Sequence, residues 1–231
     1  NEKVYPELMM NRTLRRNVFI SSFDIPKEPI NLPNGEHKFK YSWPMSGGLD
    51  YGTRNKSAFT VYARDYDGTH YSIWEWGMTM AELQNKGFKG SMVQAISQML
   101  KTECPYYTSI DTIFADPSLW TDNVNTINGM TSIWRQLVDE GIVKLAKGAQ
   151  SDVDCIAYIK SLWASESDPQ FRIFADKCPQ QMKELENLLW DDWSEAMGYK
   201  RDLKESIVDK DNHFWDSLKY YIMSRPQPPK K

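Results

Sequence analysis

The chain has 231 residues, 41% hydrophobic and 26% charged, an ordinary globular balance for one large domain or two small ones with a real core. A formal net charge of −3 argues against a general nucleic-acid coat protein and leaves room for an enzyme with one local basic groove. Three scattered cysteines (Cys104, Cys155, Cys178) without a CxxC signal neither a disulfide framework nor a zinc cluster, which makes a reducing compartment the default; no apolar run suits a bilayer and the start does not resemble a signal peptide.

The first residue is Asn, which points to a piece of a longer polypeptide. Residues 1–45 read as an irregular linker or N-terminal arm that packs on the domain. Asn17-Val18-Phe19-Ile20 suggests a short strand, while Pro26, Pro29 and Pro33, with an Asn34-Gly35 turn, favour extended chain. Arg15-Arg16 reads as solvated charge or as a contact to a nucleic-acid backbone or partner domain. From Gly47 the pattern becomes regular. One strand ends near Asp50, a second runs Ala58 to Ala63, Asp67-Gly68 marks a hairpin turn, and a third strand runs Tyr71 to Trp76. Met80, Leu83, Phe88, Met92, Ile96, Met99 and Leu100 recur at helical spacing, with a break near Gly87 and Gly90. Ile110 to Ala115 predicts a strand that stops at Asp116, because Pro117 cannot continue a ladder.

Beyond it, Met130 to Val138 predicts a helix and Ile142 to Leu145 a strand. Asp152 to Ala164 predicts a helix with Val153, Ile156, Ile159 and Leu162 on one face and Ser151 or Asp152 as cap. Phe171 to Phe174 is the last predicted strand, and Met182 to Trp190 a helix. Residues 191–210 show no pattern. Phe214 to Met223 predicts a final helix capped by Asp211 or Asn212 and stopped by Pro226, and 226–231 read as a disordered tail. A meander followed by alternating helices and strands predicts an α/β sheet with helices on its faces, where ligands collect at strand ends.

Asp50, in Gly48-Leu49-Asp50-Tyr51-Gly52, ends an apolar run with glycines on both sides, where backbone or ligand can come close. It reads as a metal-site acid or as a turn aspartate bonding its own backbone. Asp116 ends a later strand. In His213-Phe214-Trp215-Asp216, the His and the Asp share a helix face at a spacing of three and can ligate one metal or water; the alternative is a solvated acid and a surface histidine. Acids from three separate elements suit hard Mg²⁺ or Mn²⁺, and two such ions can activate a water and stabilise a leaving 3′-oxygen. The acids repel each other, so such a site is expected to be unstable without metal.

Three motifs in this order, Gly48-Leu49-Asp50-Tyr51-Gly52, Phe114-Ala115-Asp116-Pro117-Ser118 and His213-Phe214-Trp215-Asp216-Ser217-Leu218-Lys219-Tyr220, resemble the nuclease domain of the large terminase subunit of tailed bacteriophages. Cys178-Pro179, Lys183-Glu184-Leu185 and Trp190 also look like the family's segment before its last helix. The resemblance covers roughly Gly47 to Ser224. It implies a ribonuclease H-like mixed sheet, antiparallel meander then parallel strands, flanked by helices over 46–225. It also implies two-metal cutting of concatemeric double-stranded viral DNA during genome packaging in the cytoplasm of the infected bacterial host. By the same resemblance Asp50 would bridge two Mg or Mn ions, Asp116 would ligate one, Asp216 one or both, and His213 would touch metal or the attacking water. A packaging ATPase, portal and small terminase subunit are the implied partners. No GxxxxGK[ST] is present, so the motor's phosphate loop is absent: either the motor was removed or this is a free nuclease. The bulky Phe214-Trp215 departs from the small residues common in the family.

Arg54 and Lys56, and Lys144 and Lys147 beside Gly148, are candidate DNA-backbone contacts or solvated charges. Glu75 reads as solvent-facing, Asp209 and Asp211 as caps or supports of the site, Asp111 and Asp122 as surface. Three rival readings share some of these residues. Asp50-Tyr51-Gly52-Thr53 resembles the D-x-G-T loop of actin-like and sugar-kinase phosphotransferases, though no second such loop follows. A Holliday-junction resolvase or transposase-like nuclease would keep the same acids. A binding module with a dead site would not need all three.

Overall fold

The computed structural model describes residues 2–31, 37–52, 55–122, 124–126, 129–191, 207–208 and 210–224. Pro33, the Asn34-Gly35 turn, Arg54, Asp209 and the tail 226–231 lie outside them. Two short helices open the chain, α1 (Glu7–Met10) and α2 (Arg12–Val18). Asn11 caps the second by accepting from the N–H groups of Thr13 and Leu14. Strand β1 (Phe19–Ile20) follows, then an antiparallel ribbon of β2 (Lys27–Asn31) and β3 (His37–Tyr41). Where irregular chain is expected, Glu7–Met10 and Arg12–Val18 are helical, while the segment packs on the domain as expected. Val4, Tyr5, Leu8, Leu14 and Val18 are buried, and β1 joins the main sheet. Their apolar spacing spans one or two turns, too few for a period to register. Arg15 pairs with Glu186 at 2.7 Å.

The predicted meander is β4 (Met45–Asp50), β5 (Ser57–Arg64) and β6 (His70–Met78), with Gly68 at φ 92° in the turn before β6. The helical stretch breaks as expected into α3 (Met80–Asn85) and α4 (Met92–Gln98). Capping boxes open both, Thr79 with Glu82 and Ser91 with Gln94. A π turn (Met99–Glu103) and a 3₁₀ turn (Tyr107–Ser109) lead to β7 (Ile110–Ala115), which stops before Asp116. A second ribbon, β8 (Val124–Thr126) and β9 (Gly129–Thr131), takes the start of the predicted Met130 helix. Helix α5 (Ile133–Asp139) begins only after its cap, Ser132. Strand β10 (Leu145–Lys147) lies later than Ile142 to Leu145 because Ile142 is spent on closing the helix end, its N–H bonded to the Leu137 carbonyl.

Helix α6 (Asp152–Leu162) has Ser151 as cap and buries Cys155, Ile156 and Ile159, whereas Val153 is exposed, so the buried face is turned from the predicted one. Strand β11 (Phe171–Phe174) is followed by α7 (Pro179–Asn187), which starts earlier than predicted, with Pro179 in its first turn. Helix α8 (His213–Met223) ends the described chain.

Seven strands form one sheet in the order β1-β11-β6-β5-β4-β7-β10. β5 is antiparallel to both neighbours; the remaining pairs are parallel. Side chains alternate between two cores. Phe59, Val61 and Ala63 of β5 face α4 and α5, and Tyr62 faces α6, α7 and α8. This is an α/β ribonuclease H-like arrangement, a meander extended by parallel strands and covered on both faces.

Two carboxylates cap helices across the fold. Glu75 of β6 accepts the N–H groups of Gln180 and Gln181 at 2.7 and 2.9 Å, at the start of α7. Glu184 of α7 accepts those of Phe214 and Trp215 at 2.7 and 3.2 Å, at the start of α8. The solvent-facing reading of Glu75 is thereby corrected. So is the expected cap of α8: Asn212 makes no side-chain cap bond, and Asp211 takes a left-handed φ of 53°. Burial raises the Glu75 carboxyl to about 7 despite its two N–H bonds, and burial likewise raises Glu184 to about 7.

Helix α8 lies against β4 because Gly48 has no side chain. A Cβ there would overlap the Ser217 carbonyl oxygen, and Ser217 Oγ donates to the Gly48 carbonyl at 2.9 Å. Gly148 is equally close to Tyr220. Gly48→Ala is expected to lose about 3 kcal/mol, lowering the thermal midpoint by on the order of 10 °C; an unchanged midpoint would refute the close approach. A second expectation concerns pH. Unfolded, Glu75 ionises near about 4.3; folded, it ionises at about 7. The folded state keeps a proton the unfolded chain has lost, so this contribution is full below the unfolded value and disappears as pH rises through the folded one. Thermal midpoints of wild type and Glu75→Gln should diverge between about pH 5 and about pH 8, wild type falling more steeply. Parallel curves would remove the buried carboxylate as their cause.

Candidate active site

Asp50 is the last residue of β4, and Asp116 follows the last residue of β7. The parallel register pairs Leu49 with Ala115, so the next residue on each strand brings the two acids side by side at the carboxyl edge. The seating of Ser217 on Gly48 sets α8 above the same edge, with Asp216 one residue nearer its start. Tyr220, 4% exposed, reports on all three. Its phenol is raised first by burial, then by the charges of Asp216, Asp116 and Asp50.

Each acid is held by a different protein partner. Asp50 Oδ2 lies 2.9 Å from His213 Nδ1. Burial raises the Asp50 carboxyl, and the His213 bond holds part of that rise back. The bond to Asp50 in turn raises His213, against the effect of burial. Asp216 Oδ1 accepts from Lys219 Nζ at 2.6 Å, and burial raises its carboxyl to about 6 despite that ammonium. Lys219 Nζ also donates to Asp152 Oδ1 at 2.8 Å, which accepts from Trp215 Nε1 at 3.3 Å. Asp116 Oδ1 accepts the Ser118 N–H at 2.7 Å and Gln150 Nε2 at 3.1 Å. Among the described residues, no three His, Cys, Asp or Glu side chains stand close enough to form a ligand set. The donors are chemically suited to a hard divalent ion, yet each is turned to its own partner.

Phe214 and Trp215 are fully buried, and the tight packing of the Phe214 ring against Gly77 explains how bulky residues fit there. Beside His213 opens a cleft of 560 Å³ whose lining includes Lys56, Gln180, Lys183, Glu184 and Asn187. Lys56 Nζ donates to Gln180 Oε1 at 2.8 Å and sits over the Phe214 ring. Lys147 pairs in register with Ala115, next to Asp116, and its ammonium lies over Trp120. Lys144 is not brought to this edge. Its ammonium is tied to the Ile110 carbonyl, at the opposite end of β7. Asp111 and Asp122 are exposed. The Gly52 N–H is bonded to Ser57 Oγ at 3.0 Å, which occupies a donor that a D-x-G-T loop would offer to phosphate.

Asp152, Lys219, Lys183, Gln150 and Tyr220 do not stand out as site residues in the sequence. Lys219 carries a local signal, three residues after Asp216 on one helix face. Asp152 carries none, since only the packing of α6 on α8 brings it near.

No protein-family profile and no curated protein matches the sequence. Solved structures do. The P22 large terminase nuclease domain superposes with a TM-score of 0.58 at 15% identity, covering 94% of this chain and 94% of that one. A large terminase from a thermophilic bacteriophage gives 0.60 at 18% identity, covering 90% of this chain and 43% of that one. The complex of that terminase with ATP-gamma-S gives 0.62 at 17% identity, over 95% and 44%. The chain thus spans less than half the length of the thermophilic phage protein. Among the described residues no helix is long and apolar enough to cross a membrane. At these identities the likeness is one of architecture: the chain has the ribonuclease H-like fold of large terminase nuclease domains.

Proposed function

We propose that this domain is a metal-dependent endonuclease that hydrolyses double-stranded DNA and cuts concatemeric viral genomes during packaging. The observation that carries the reading is the convergence of three acids on one sheet edge: Asp50 and Asp116 through the register of β4 and β7, and Asp216 on the helix seated against Gly48. Carboxylate oxygens suit Mg²⁺ or Mn²⁺. Asp50, Asp116 and Asp216 would hold such ions, which would supply an activated water and a counter-charge for the leaving 3′-oxygen.

The protein groups have their own tasks. Asp50 ends β4, next to Asp116 at the end of the neighbouring β7, and α8 with Asp216 is seated on the same β4. His213 would orient the Asp50 carboxylate through its 2.9 Å bond, and from the cleft that it lines it would hold a proton of the attacking water. Lys56 and Lys183 in the cleft, and Lys147 beside Asp116, are the proposed phosphate contacts. Arg54 lies outside the described residues, and Lys144 is left out of the proposal. The fold likeness to proteins named as large terminases supports a setting in the infected host cytoplasm, with a packaging ATPase, portal and small terminase subunit as partners. It also supports a larger whole, of which this chain would be the cutting part.

The test is incubation with supercoiled plasmid and Mn²⁺, with ATP turnover followed in parallel. Nicking and linearisation are expected without ATP loss. Asp50→Asn and Asp116→Asn should each lower cutting by at least about a thousandfold while the thermal midpoint is kept. Full cutting by both variants ends the nuclease reading. His213→Ala should retain activity, reduced by about 10–100-fold. Lys56→Ala combined with Lys183→Ala should flatten the dependence of DNA binding on salt by about two phosphate contacts; an unchanged slope moves the DNA path away from this cleft.

A further inference from the structure

Lys219 is an unusual neighbour for a site built to take cations. Its side chain is 9% exposed, and its ammonium sits 2.6 Å from Asp216 Oδ1 and 2.8 Å from Asp152 Oδ1. The first contact is within one turn of α8, and the second crosses to the first residue of α6. Asp152 is itself fixed, because Trp215 Nε1 donates to the same oxygen. A buried cation thus lies between two carboxylates, Asp216 at 17% and Asp152 at 22% exposure. Burying either charge alone would be strongly unfavourable, and the three together satisfy one another.

We propose that Lys219 is a built-in counter-ion that competes with the divalent ion for Asp216, so that it sets the metal concentration at which the acid cluster loads. The inference rests on the reading of Asp216 as a metal carboxylate. An ammonium at 2.6 Å neutralises the Asp216 carboxylate and repels a divalent ion on it, so the two cations compete for one negative charge. Asp152 makes the exchange feasible. When Asp216 turns to the ion, the ammonium keeps one buried anionic partner and is not stranded. Asp152 therefore acts through Lys219, not on metal.

Mn²⁺ binding by titration calorimetry, with thermal midpoints in the presence and absence of Mn²⁺, tests this in the intact chain. Lys219→Gln should bind Mn²⁺ on the order of tenfold more tightly than wild type. Its metal-free midpoint should fall and its Mn²⁺-induced rise should grow. Asp152→Asn leaves the ammonium to Asp216 alone and should weaken Mn²⁺ binding. In the Lys219→Gln background the same change should have little effect, since the coupling between the two positions is what the cycle measures. Equal or weaker Mn²⁺ binding by Lys219→Gln overturns the proposal and makes Lys219 a group that positions Asp216. Should Lys219→Gln not fold, Lys219→Arg decides. Retaining the charge, it should bind Mn²⁺ no more tightly than wild type, and tighter binding overturns the proposal. A folded wild type that takes up no Mn²⁺ is a different failure. It removes the metal reading of Asp216, and the inference with it.

Discussion

Everything at the carboxyl edge depends on one backbone contact. Helix α8 reaches β4 only because residue 48 is a glycine, and Ser217 locks the approach by donating to the Gly48 carbonyl. Any side chain at that position would push the helix off the strand and carry Asp216 and His213 away from Asp50. The strands bring two acids together by register, but the third arrives by helix packing. Gly148 repeats the arrangement next to Tyr220, so α8 rests on bare backbone at two neighbouring points.

The acids meet in a partly dry place, and the protein answers each charge locally. His213 serves Asp50, Lys219 serves Asp216 and Asp152, and Gln150 with the Ser118 N–H serves Asp116. Burial still dominates at Asp50 and Asp216, whose carboxyls are raised. This is how mutually repelling groups coexist in a folded chain: each is tethered before it meets the others.

Much of this is legible in the sequence, for a physical reason. Strand ends announce themselves through local chemistry. The alternation of β5, the Pro117 stop and the Asp67-Gly68 turn are all written within a few residues, so Asp50 and Asp116 can be placed at one edge. The pairing of His213 with Asp50 is not legible, because it joins residues far apart in the chain. The same holds for the caps. Asn212 and Asp211 look like the start of a helix by local rules, yet the orphan N–H groups of α8 are served by Glu184 from another helix. Glu75 alternates with Trp74 and Trp76 as a solvent residue would, and only the arrival of α7 makes it a buried acceptor. The N-terminal segment misleads because its helices are too short to show a period, while the burial of Leu14 and Val18 depends on the second core.

The two caps also act as links of a chain. Glu75 grips α7 at Gln180 and Gln181, and Glu184, within the next turn, grips α8. Helix α7 is therefore a spacer whose phase matters as well as its length. One residue added between Gln181 and Glu184 would swing the second grip by about 100° around the helix axis. The sheet would then no longer dictate where the last helix begins. Drift by insertion is thus closed to this stretch, although substitutions on its outer face remain open.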